Sequence, residues 1–135
     1  MSFGKIILLY LLTTPVFFAI DMTWLGIIAK NMYKRELGYL MRADIVWWAA
    51  ILFYLLFIVG IIYYAVLPAY SADSWLMALY LGALFGFFTY MTYDLTNYAT
   101  VKDWPFLIVV ADTLWGVVLS ASVSVISFFI AKFIA

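Results

Sequence analysis

The chain has no cysteine and no histidine among its 135 residues. That excludes disulfides, thiol redox chemistry, haem or zinc ligation by the usual residues, and imidazole acid/base catalysis. Charge is scarce as well, with seven Lys and Arg against seven Asp and Glu, so the net charge is zero. So few charges cannot coat a soluble domain, and the basic residues form no patch of the size a nucleic acid needs. Asp, Glu, Tyr, Thr and Asn are left to carry any chemistry.

What is abundant is hydrocarbon. Apolar residues make up 70% of the chain, and they fall into four runs, at about Ile6–Ile28, Ile45–Leu67, Trp75–Tyr98 and Pro105–Ile130. Each run is about 22 residues, or roughly 33 Å as a helix, which matches the hydrocarbon core of a bilayer. None shows the alternation of a barrel strand. The expected fold is all-α: a polytopic membrane protein with four transmembrane helices in a bundle, one domain over residues 1–135. The first run is too long for a signal-peptide core and lacks a small-x-small cleavage site, so it is expected to remain as the first helix.

The connections are short, and only Asn31–Asp44 is polar. Pro68 is expected to end the second helix, Asp73 or Ser74 to cap the third, and Pro105 to sit in the first turn of the fourth. Lys30, Lys34, Arg35, Arg42 and Lys102 flank one side of the bundle and only Lys5 and Lys132 the other. The positive-inside rule then puts the first and third loops in the cytoplasm and both termini outside.

Against this background the acids stand out. Asp21 and Asp112 lie roughly 10 Å inside the cytoplasmic ends of their helices and Asp94 roughly 6 Å, whereas Asp44 sits at the boundary. An ionised Asp at a helix centre costs about 2.5–3.5 kcal/mol on insertion scales, so these side chains should face the bundle interior. Helix faces agree: Gly82, Gly86, Tyr90 and Asp94 form one ridge, and Asp112, Gly116, Ser120 and Ser124 another. Small residues there let two backbones approach closely.

The candidate ligand- or cation-binding residues are Asp21, Asp94, Asp112, Asn97, Asp44, Trp24, Trp115, Tyr90 and Tyr93. Each has a plainer role beside it. Asp44 and Asp73 suit helix N-termini, and Trp24, Trp47 and Trp104 suit an interfacial aromatic belt. Several carboxylates at one level need a shared proton, a bound cation, or Arg42 and Lys30 reaching inward. Oxygen ligands alone would favour Mg²⁺ or Ca²⁺ over zinc or copper.

A weak internal repeat accompanies the acids. Asp21-Met22-Thr23 resembles Asp94-Leu95-Thr96, and Asp44-Ile45-Val46-Trp47 resembles Asp112-Thr113-Leu114-Trp115. A duplication would make two pseudo-symmetric helical hairpins about an axis along the membrane normal.

The elements Asp21-Met22-Thr23-Trp24-Leu25-Gly26, Tyr93-Asp94-Leu95-Thr96-Asn97-Tyr98-Ala99-Thr100, Trp104-Pro105 and Asp112-Thr113-Leu114-Trp115-Gly116 resemble a family of small bacterial inner-membrane proteins that is known as a domain of unknown function. The resemblance spans essentially the whole chain and implies a four-helix protein of the bacterial inner membrane. It implies no catalytic residue. Genes of the family often lie near cyclopropane-synthase-like fatty-acid-modifying enzymes, which hints at lipid chemistry. Three functions are open at this level. One is binding or transport of a proton, a cation or an amphipathic or lipid-like ligand, for which four helices favour a homodimer. Another is a lipid-modifying enzyme that uses an Asp acid or a carboxylate-bound metal, and the third is a structural subunit of a lipid-enzyme complex.

Overall fold

A computed structural model describes all residues from Met1 to Ala135. Four helices are long and apolar enough to cross a membrane, as the hydropathy predicts: α1 (Phe3–Ile28), α3 (Trp47–Ser71), α4 (Trp75–Thr100) and α5 (Phe106–Ile134). Between the first two lies a short amphipathic helix, α2 (Lys30–Leu37), in the connection that the sequence reading leaves as a polar loop.

Local chemistry sets the ends. Ser2 caps α1 by accepting the Lys5 amide, and Ser74, rather than Asp73, caps α4 by accepting the Met77 amide at 3.2 Å. Asp73 and Asp103 instead occupy left-handed turns, with φ of 50° and 59°, on either side of α4. Asp reaches that region more readily than most residues because its short side chain can bond locally. Asp44 caps nothing. The helix it precedes begins at Trp47 with no side-chain cap, and Asp44 stays exposed beside Arg42 at 3.5 Å.

Pro68 does not end the second membrane helix, because a π-turn over Ile62–Val66 precedes it. The Leu67 amide bonds the Ile62 carbonyl there, which widens the backbone ahead of the proline ring and absorbs its missing N–H. The helix therefore runs on to Ser71. A second π-turn, Trp24–Ile28, closes α1 with the Ala29 amide on the Trp24 carbonyl at 2.7 Å. Only Ala29 separates it from the start of α2 at Lys30.

The tightest helix pair is α4 with α5. A Cβ on Gly82 would strike Ser120 and Ser124, one on Gly86 would strike the Gly116 backbone, and one on Gly116 would strike the Tyr90 ring. The two ridges visible in the sequence are thus in contact, and they close because glycine removes the side chains. Lipid provides no hydrophobic drive between helices, so this close approach and a few polar bonds carry the association. Thr13 donates to Ser127 at 2.9 Å across α1 and α5, and the Tyr10 hydroxyl donates to the Leu55 carbonyl at 3.0 Å across α1 and α3. Leu9, Phe17, Ile58, Ile61 and Leu119 fill the shared core.

Candidate functional site

Three helices bring acids to the same end of the bundle, the end that carries α2. Asp21 is buried on α1 and accepts the Trp115 indole N–H at 2.9 Å. Tyr54 of α3 faces the same carboxylate. Asp112, half-buried on α5, accepts the Tyr33 hydroxyl at 2.5 Å, and that hydroxyl in turn accepts the Trp24 indole N–H at 3.1 Å. The two strands of hydrogen bonds are tied together because Trp24 and Trp115 stack, with ring centroids 4.6 Å apart and planes 9° from parallel.

Asp94 is different. It is fully buried on α4 beside Asp112, and neither of its carboxyl oxygens has a hydrogen-bond donor. Buried polar atoms are nearly always paired, so two bare oxygens on one buried carboxyl are unusual.

Asp21, Asp112, Tyr33, Tyr54, Tyr90 and Trp115 face a cavity of about 320 Å³. Beside it lies a space of about 410 Å³ bounded by Phe53, Phe57, Thr89, Tyr90, Tyr93 and Asp112. Phe53, Tyr90, Tyr93 and Asp112 belong to both walls. The outer part is walled by Phe53 and Phe57 of α3 and by Thr89, Tyr90 and Tyr93 of α4, whose backbone approaches α3 most closely along Ile62–Ser71. Phe53 is 51% exposed and Tyr93 57%, so the mouth opens on the outer surface of the bundle.

Of the sequence candidates, Asp21, Asp112, Trp115, Tyr90 and Tyr93 line these spaces, with Asp94 beside Asp112 and Trp24 stacked on Trp115 behind them. Asp44 and Asn97 do not. Asp44 is held in the exposed loop by its position before α3, and Asn97, one turn beyond Tyr93, lines neither cavity. Trp104 is buried against Tyr93 rather than anchored at an interface. Arg42 pairs with Asp44, and Lys30 lines an adjoining groove and is exposed there, so neither is paired with the acids. No three acids gather into a set that could hold a metal ion. Of the residues in the sequence repeat, Asp21 and Asp94 are both buried on their helices, whereas Asp44 and Asp112 have unlike surroundings.

Tyr33 and Tyr54 escaped the sequence reading. Tyr33 could have been found from the spacing of Met32, Tyr33 and Leu37, which turns one face of α2 toward Trp104 and Ile108. Burial pushes the Tyr33 hydroxyl up, and the neighbouring Asp112 adds to the rise. It therefore remains a donor throughout the physiological range.

Residues 6–129 match a family described as a predicted membrane protein, DUF2177. The chain belongs to that family. No curated protein and no solved structure matches it. Membership agrees with the four spans, and the family's description assigns no ligand and no reaction.

Proposed function

We propose that the protein binds an amphiphile that enters sideways from the bilayer and brings a cationic or hydrogen-bond-donating group to Asp112. The observation that carries this reading is the shared lining of the two adjoining cavities. An aromatic mouth adjoins a floor of carboxylates, and Asp112 lies in both parts. A volume of about 410 Å³ for the outer part alone is in the range of small-molecule pockets. Tyr90, Tyr93, Phe53 and Phe57 offer ring faces to an organic cation, worth about 0.5–2 kcal/mol when desolvated. A charge-assisted bond to Asp112 adds about 1.5–3 kcal/mol.

Binding is favoured over translocation by the packing above the site. Gly82, Gly86, Gly116, Ser120 and Ser124 press α4 and α5 together there, which supports a site with one mouth. A Mg²⁺ or Ca²⁺ ion would take two adjacent carboxylates, Asp94 and Asp112, and draw its other ligands from water or from the amphiphile itself.

Dodecylamine and dodecanoate, matched in chain length and opposite in charge, test the reading on the purified full chain. Dodecylamine should raise the melting temperature in detergent and dodecanoate should not. Asp112→Asn should weaken the amine by about tenfold or more. Equal stabilisation by both probes, or an unchanged response in D112N, overturns it. Stabilisation by millimolar MgCl₂ that D94N and D112N both abolish would favour the metal instead.

A further inference from the structure

A second recess adjoins the acid cavity along α2 and shares Leu25, Tyr33 and Leu37 with it. It is a groove of about 710 Å³ whose walls include Leu25, Leu37, Met41 and Ile45 together with Lys30 and Lys34. The lysines are four residues apart on one helix and so share a face. Both are exposed, and neither joins an ion pair, whereas Arg35, Arg42 and Lys132 are each taken by an acid. Ile27 and Ile28 beside the groove are 78% and 67% exposed, and Trp47 and Trp48 are 64% and 72% exposed at the start of α3. Apolar and Trp side chains exposed at a helix end sit at the boundary between hydrocarbon and headgroups.

We propose that this groove seats one anionic phospholipid of the adjoining leaflet, with its phosphate between Lys30 and Lys34 and the start of an acyl chain along Leu25, Leu37 and Ile45. Charge complementarity selects the occupant. Two unpaired cations above an apolar wall match a group that is anionic at one end and hydrocarbon at the other, and the carboxylates behind Tyr33 repel the same group from the inner cavity. The site does not depend on what the inner cavity binds. Tyr33 lines both recesses, so a lipid held here also holds α2 against Asp112.

Native mass spectrometry of the full chain, released from micelles holding equal dioleoyl-phosphatidylglycerol and dioleoyl-phosphatidylcholine, tests the inference. One phosphatidylglycerol should be retained in roughly thirtyfold preference, the effect of two interfacial cations at about 1 kcal/mol each. Lys30→Gln with Lys34→Gln should erase the preference, and Lys30→Arg with Lys34→Arg should keep it. Lys5→Gln with Lys102→Gln makes the same change in net charge and should also keep it. A preference that survives K30Q/K34Q, or that K5Q/K102Q removes equally, overturns the site. Displacement of the lipid by millimolar inorganic phosphate overturns it too, since the groove would then be a free-anion site. D112N should leave lipid selectivity intact, so loss of amine binding and loss of lipid selectivity report on separate readings.

Discussion

Tyr33→Phe removes one oxygen and leaves the ring in place, and that oxygen stands between the Trp24 indole and the Asp112 carboxylate. Two hydrogen bonds are lost. A bond to a charged acceptor is worth about 1.5–3 kcal/mol net and a neutral one about 0.5–1.5 kcal/mol. Water in the adjoining cavity can re-bond Asp112 in part, which favours the lower end of their sum, about 2 kcal/mol. Tyr39→Phe is the control, because its hydroxyl also makes a tertiary bond, to the Asp103 carbonyl, but in an exposed position. It should cost less than about 0.5 kcal/mol. Unfolding in mixed micelles of dodecyl maltoside and rising sodium dodecyl sulfate, followed by circular dichroism, gives both values. The raised Tyr33 value adds a pH signature. Folding favours its neutral form, so that contribution is complete below the ordinary tyrosine value near 10 and is lost as pH climbs past it. The gap between wild type and Y33F should be flat up to about pH 9 and then narrow. A Y33F cost within about 0.5 kcal/mol of zero, or equal to that of Y39F, refutes the relay.

Other outcomes follow from the same geometry. Gly86→Ala pushes a methyl into the Gly116 backbone and should cost about 1–3 kcal/mol or more in the same titration. Gly26→Ala, where nothing lies within 4 Å, should be neutral or stabilise by up to about 1 kcal/mol. The charge count places Lys34 inside and Ser2 and Ser71 outside. Of single cysteines at 2, 34 and 71, an impermeant thiol reagent on whole cells should therefore label 2 and 71, and labelling of 34 alone reverses the topology. Asp94→Asn should fold, since the amide keeps the shape of the side chain. It should also remove a protonated-carboxyl infrared band if the bare oxygens of Asp94 share a proton with Asp112, and an unchanged spectrum contradicts the shared proton.

The spans were legible because a membrane helix must satisfy its own backbone and clothe itself in hydrocarbon, and both demands are written in composition. The α4–α5 contact was legible for a related reason: Gly82, Gly86 and Gly116 recur at helical spacing, and close approach needs small residues on one face. What escaped was set by backbone detail rather than by side-chain type. The π-turn that carries the second helix through Pro68 leaves no mark in a hydropathy pattern. The same holds for Trp24–Ile28, and with it for the placement of α2 and its Tyr33. Asp44 erred in the other direction, since a residue at the edge of an apolar run can fall on either side of the helix start, and here Trp47 began it.

The site is therefore built half from the long apolar helices and half from the short helix that follows the first of them. The spans supply Asp21, Asp94 and Asp112, which lipid makes costly and which the bundle must shelter. The short helix that lies across them supplies Tyr33 as the donor that occupies one oxygen of Asp112. If α2 lifts by a few ångströms, Asp112 loses its tyrosine, Trp24 loses its acceptor, and the stack on Trp115 that braces Asp21 is free to shift. The acids would then meet whatever enters between α3 and α4 with their lone pairs unengaged. A cationic guest is thus expected to compete with Tyr33 for Asp112, so Y33F, though less stable, should bind dodecylamine at least as tightly as wild type. Weaker binding by Y33F would mean that the tyrosine holds the ligand rather than the empty site.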